Sequence, residues 1–223
     1  MNGKRLLKNL MKGGEVQMKK TILLMLVIFV LAVGSCYAAN TQTINVTATV
    51  AAVANGLNVG ISKIDSRGTC VATDDGWTSG QANIAFGTLA WDPANSIFLN
   101  NYYYAVDVGV VDNSGAAWTI THTRGDFKNT GNTANLNNNV NVTFMKQTDA
   151  TTGTQLSKVS YASSNNVAYT KAQLSGGWLR VYYGIATGDV RAGCTDAGGV
   201  EPIALDKPAG AYSGTVTLTL TGV

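Results

Sequence analysis

A repeat of two residues dominates this sequence, and no stretch sustains the 3.6-residue repeat of an amphipathic helix. In residues 43–50, Ile44, Val46, Ala48 and Val50 fall on one side, and Thr43, Asn45, Thr47 and Thr49 on the other. Residues 215–221 repeat the pattern, with Val216, Leu218 and Leu220 set against four threonines. Only an extended backbone sends successive side chains to opposite faces, so both segments predict half-buried β-strands.

The same signal recurs between them. Residues 57–64 place Leu57, Val59, Ile61 and the stem of Lys63 on one side. Residues 84–89 form a shorter apolar run, which a turn at 90–93 is expected to end. Residues 102–111 are apolar on both faces, the mark of a central strand. Residues 117–123 alternate Trp118, Ile120 and His122 against threonines, and 140–146 alternate Val140, Val142 and Phe144 against Asn141, Thr143 and Met145. Residues 178–187 read as another buried strand. Asp112-Asn113-Ser114-Gly115, the Asn/Gly/Thr run at 129–139, residues 193–199 and Pro208-Ala209-Gly210 supply turn chemistry. Eight or so short strands at this spacing predict an all-β, immunoglobulin-like β-sandwich.

Residues 18–38 carry a different instruction. Lys19 and Lys20 precede twelve unbroken apolar residues, 22–33, and small residues then lead to Cys36-Tyr37-Ala38. That is the pattern of a cleaved secretory signal peptide. The apolar run is too short for a permanent span, which needs ~20 residues. Residues 1–17 have no apolar core and read either as a long n-region or, preferably, as sequence upstream of a true start at Met18. Cleavage after Ala38 leaves a soluble chain. The alternative treats Val33-Gly34-Ser35-Cys36 as a loose lipobox, with Cys36 acylated.

Removing the leader changes the charge balance. The full chain has a formal net charge of +3, but six of its sixteen basic residues lie before residue 39. The remaining 185 residues carry ten basic and twelve acidic side chains. No basic run survives, so nucleic acid is not an expected partner. Cys70 and Cys194 also remain. An even count in an exported chain predicts a disulfide, here closing a loop of about 120 residues worth ~4–5 kcal/mol in the chain-entropy model.

Signs of catalysis are missing. His122, the single histidine, sits on the apolar side of its strand and reads as structural. No nucleophile motif, phosphate loop or dinucleotide fingerprint occurs, so no enzyme and no cofactor is expected. Asp74-Asp75-Gly76 lacks the spaced oxygen ligands of a calcium loop. The sequons at Asn45 and Asn141 fall within strands and read as polar strand faces. Tyr102, Tyr103, Tyr104, Trp178, Tyr182 and Tyr183 belong mainly to the core on pattern, with a sugar-stacking platform as the minority reading.

Pro208-Ala209-Gly210-Ala211-Tyr212, followed by Thr215-Val216-Thr217-Leu218-Thr219-Leu220, resembles the last strand of pilin-like subunits. Ile44-Asn45-Val46-Thr47-Ala48-Thr49-Val50 and Ile84-Ala85-Phe86-Gly87-Thr88-Leu89 are similar to the opening strand and the Phe-Gly strand of the spore coat protein U domain, an archaic chaperone–usher pilin family. The family favours an aromatic at the end, where this chain has Gly222-Val223, and its usual cysteine bridge is narrower than Cys70–Cys194.

The resemblance implies an incomplete sandwich in which a neighbour's amino-terminal strand completes the sheet. Residues 39–54 would be the donor segment, with Ile44, Val46, Ala48 and Val50 entering the next subunit, and residues 55–223 would be the pilin-like domain. Burying Ile44, Val46 and Val50 would contribute ~1.5–3 kcal/mol each. The expected function is a structural subunit of a secreted, extracellular filament, polymerised head to tail with copies of itself. A periplasmic chaperone and an outer-membrane usher are the further partners the resemblance implies. The alternative is a monomeric or lipid-anchored surface β-sandwich that binds glycans.

Overall fold

The computed structural model describes residues 40–45, 56–65, 76–112 and 116–222. The leader and Cys70 lie outside them, as do Val46, Ala48 and Val50. Among the described residues there is no α-helix, only one turn of 3-10 helix at Ser163–Asn165.

The described residues form fourteen strands, in chain order β1 (Asn40–Asn45), β2 (Leu57–Asp65), β3 (Trp77–Thr78), β4 (Ala90–Asp92), β5 (Ile97–Leu99), β6 (Tyr102–Val110) and β7 (Thr119–Arg124). Then come β8 (Lys128–Asn129), β9 (Val140–Gln147), β10 (Gly153–Ser160), β11 (Val167–Thr170), β12 (Trp178–Ile185), β13 (Tyr212–Ser213) and β14 (Thr215–Thr221). All pairings are antiparallel. One sheet has six strands in the order β10-β9-β12-β6-β2-β3, and another has four in the order β1-β14-β7-β11. Two-stranded ladders join β13 to β8 and β4 to β5.

One apolar core joins the two large sheets. Val216, Leu218 and Leu220 of β14 and Ile120 of β7 belong to the same buried cluster as Val106 and Val108 of β6, Val142 and Phe144 of β9, and Leu179 and Val181 of β12. Each strand contributes alternate residues, as a repeat of two requires. Packing across the core is direct, since Phe144 of one sheet meets Tyr169 of the other at 5.5 Å between ring centroids. This architecture is all-β and consistent with a β-sandwich.

Most expected strands form within a residue or two of their predicted ends. The segment 84–89 does not: Ile84 and Phe86 are buried, but their backbone is irregular. The strand lies just beyond, where 90–92 pair with 97–99 around a turn at 93–96. Asp92 stabilises that turn by accepting from the Ala94 amide and the Asn95 side chain. The asparagine-rich run 129–139 is a chain of tight turns, in which the side-chain oxygens of Asn129, Asn132 and Asn135 each accept from the amide two residues on. Asparagine is favoured there because its short side chain mimics a backbone turn.

Candidate subunit interface

The amino-terminal strand β1 is the outermost strand of the four-stranded sheet. It runs antiparallel to β14 in unbroken register, from Asn40 opposite Leu220 to Asn45 opposite Thr215. On its other side β14 pairs with β7, from Val216 opposite Arg124 to Thr221 opposite Thr119. The last strand of the chain is therefore interior, and its central position depends on the first.

The predicted residues of β14 sit where the pattern put them. Val216, Leu218 and Leu220 are fully buried, while the intervening threonines are exposed or half-buried. Ile44 stands opposite Val216 in the ladder. The strand predicted at 43–50 is described only at 40–45, and Val46, Ala48 and Val50 lie outside the described residues.

Beyond β14 the ladder changes partners. Among the described residues β13 pairs with β8 alone, Tyr212 opposite Asn129 and Ser213 opposite Lys128. Beside it opens a largely apolar groove of about 790 Å³, lined by Phe86, Phe98, Phe127, Ile203, Leu205 and Tyr212 among others. Leu205 is 74% exposed at its mouth, the most exposed large apolar side chain among the described residues. Gly210 bounds the groove with φ 145°, and a Cβ there would lie 2.9 Å from the Asn129 side-chain nitrogen. Only glycine fits that position without strain. The groove was not legible beforehand, because its walls come from irregular segments separated by more than a hundred residues.

Two large polar side chains lie inside the core. His122 is fully buried, and its Nε2 lies 2.5 Å from the Tyr183 hydroxyl. Its ring stands edge-on to Phe144. Burial, followed by the nearby Arg124 guanidinium, pushes the imidazole pKa down to about 3, so the ring is neutral. Arg124, also buried, donates to the carbonyls of Ser160 and Asn165.

The tyrosine run divides by face. Tyr104 and Tyr183 point into the core. Tyr103 and Tyr182 contact each other outside that cluster, and Tyr102 stacks under the Lys63 ammonium at 4.2 Å. Trp178 Nε1 donates to Asp107, which also receives two bonds from Arg180. Asn141, one of the two sequon asparagines, uses its amide nitrogen on Asp196 at 2.6 Å. Cys194 is disulfide-bonded, and its partner lies outside the described residues. Among the described residues no cluster of His, Cys, Asp or Glu could hold a metal ion.

The fold thus defines an all-β domain with its own first and last strands side by side. No protein-family model, curated protein or solved structure matches the chain.

Proposed function

We propose that this protein is the structural subunit of a secreted extracellular filament, in which the β1 segment of one copy completes the sheet of the next. The observation that carries the reading is the position of β1. Among the described residues it is the first strand, it lies at a sheet edge, and its one neighbour is the chain's own carboxy-terminal strand. A strand held in this way can be exchanged between copies with the same hydrogen bonds and the same register. Exchange in one direction is heterologous and does not close, so it produces a fibre.

The ladder geometry supports a longer donor than β1 alone. A strand that kept the β1–β14 register past Asn45 would set Val46 opposite Gly214, Ala48 opposite Tyr212 and Val50 opposite Gly210, continuing the observed alignment. Tyr212 and Gly210 line the apolar groove. Ile44, Val46, Ala48 and Val50 share one face of such a strand. An immunoglobulin-like topology, a Cys70–Cys194 bridge, export by the 18–38 leader, and assembly by a chaperone and usher belong to the same proposal, as does the likeness to spore coat protein U pilins. No catalytic role is proposed.

A protein beginning at Asn55 tests the reading. It should fail to polymerise and become aggregation-prone, and a peptide of residues 40–52 should restore a soluble monomer. In the chain starting at residue 39, Val46→Asp should abolish polymerisation, because a buried unpaired carboxylate costs several kcal/mol. Thr47→Ser, on the opposite face, should leave it intact. A truncated protein that stays a cooperatively folded monomer without affinity for the peptide would overturn the proposal.

A further inference from the structure

We infer that the outer face of the six-stranded sheet carries a saccharide-binding cleft, built on Tyr103, Thr143, Gln155, Lys158 and Tyr182 and walled by residues 187–196. The cleft encloses about 330 Å³, at the small end of the roughly 300–1,000 Å³ typical of ligand pockets. It is separate from the β1–β14 edge, and ligand binding there does not depend on polymerisation.

A β-bulge assembles one side. Gln155 and Lys158 are three residues apart, so a regular strand would send them to opposite faces. The β10–β9 register shifts between Gln155 and Ser157, and Gln155 then lies opposite Met145 while Lys158 lies opposite Thr143. All four line the cleft. Ser157, turned the other way, contacts the Tyr169 hydroxyl at 2.7 Å. Bulges on sheet edges commonly re-aim side chains in this manner.

The wall is fixed before any ligand arrives. Asp196 accepts from the Asn141 side chain at 2.6 Å, from the Gly188 amide at 2.7 Å and from the Thr187 amide at 3.0 Å. Asn141 in turn accepts from the Ala197 amide at 2.7 Å, and Thr187 Oγ1 donates to the Cys194 carbonyl. The disulfide at Cys194 ties the same loop. Such a wall loses little conformational entropy on binding.

The lining chemistry selects the ligand class. Asp196 spends its carboxylate on the wall, and the Lys158 ammonium donates to the Thr195 carbonyl. Beside Met145 and these engaged groups, the space is lined by two rings, a hydroxyl and an amide: Tyr103 and Tyr182, 6.1 Å apart and tilted 54°, with Thr143 and Gln155. Sugars present C–H faces to aromatic rings and hydroxyls to side-chain amides, which both donate and accept. Strand pairing by a peptide is closed at β9, β12 and β6, which are each paired on both sides, and open only along the outer edge of β10. One lysine is too little charge for nucleic acid.

The test applies the mature protein, starting at residue 39, to an array of immobilised neutral and acidic oligosaccharides. Titration of the strongest hit then follows by NMR. Binding is expected, weakened about tenfold or more by Tyr182→Ala. Exposed Gln155→Ala should also weaken it without altering thermal stability. Trp91→Ala, an exposed aromatic outside the cleft, should leave it unchanged. Failure to bind any sugar on the array, or binding that survives both cleft substitutions, would overturn the inference. A cleft that fails while the protein still polymerises would leave the filament reading untouched.

Discussion

His122 Nε2 lies 2.5 Å from the hydroxyl of Tyr183, a fully buried polar contact between the four-stranded and six-stranded sheets, beside those of Arg124 with the Ser160 carbonyl and Ser157 with the Tyr169 hydroxyl. Its consequence is a dependence of stability on pH. The folded imidazole titrates at about 3, because burial and then Arg124 disfavour its charged form. In the unfolded chain it titrates near ~6.5.

Between those values the unfolded state binds a proton that the folded state refuses. Stability from this group is therefore lost as pH falls from about 6.5 to about 3, by ~1.4 kcal/mol per pH unit. His122→Phe removes the titration and strands the Tyr183 hydroxyl, at a cost of ~1–3 kcal/mol near neutrality. Chemical denaturation of both proteins across this range checks the effect. The advantage of the wild type should shrink, then reverse, as pH falls. A gap that stays constant contradicts the assignment of a neutral, buried His122.

Asp107 holds the outer face of the six-stranded sheet. Its carboxylate accepts Arg180 Nε at 2.7 Å, Arg180 Nη2 at 2.9 Å and Trp178 Nε1 at 2.8 Å. Arg180 is almost inaccessible and also lies over the Trp77 ring. Asp107→Ala should destabilise by about 1–3 kcal/mol, because it leaves the Arg180 guanidinium without its carboxylate and with the Ala150 carbonyl as its remaining acceptor. Replacing both partners with apolar residues should cost much less. Thermal unfolding of the single and double variants reads the difference.

The two faces of β14 should respond unequally to truncation. Leu218→Ala removes a fully buried side chain and should cost about 2–5 kcal/mol. Thr219→Ala acts on the half-buried opposite face and should stay within about 0.5 kcal/mol. Denaturant midpoints at constant slope distinguish them. Equal costs would mean that the register of β14 is wrong by one residue.

Alternation made the main strands legible. Val216, Leu218 and Leu220, or Val140, Val142 and Phe144, are buried because a repeat of two leaves no other face for them. β10 was illegible for a physical reason: its bulge between Gln155 and Ser157 breaks the alternation, and as an edge strand it buries little apolar surface. The hairpin of β4 and β5 falls where a turn at 90–93 is expected, because Pro93 opens the turn that follows Asp92 and does not close a strand at 84–89. The cleft and the groove draw on residues far apart in sequence, and no local pattern announces such a meeting.

The register Thr43 opposite Thr217 offers the most direct test of strand exchange. Directly opposed antiparallel residues have Cβ atoms about 4.5–5.5 Å apart, close enough for a disulfide after small adjustment. The double variant Thr43→Cys with Thr217→Cys should be assembled, oxidised and run on a non-reducing denaturing gel, with the bridge mapped by peptide mass. The filament account predicts a ladder of covalent multimers, each joined through residue 43 of one copy and residue 217 of the next. A single monomer band with the same bridge closed inside each chain would show that β1 serves its own sheet alone, and would contradict the account.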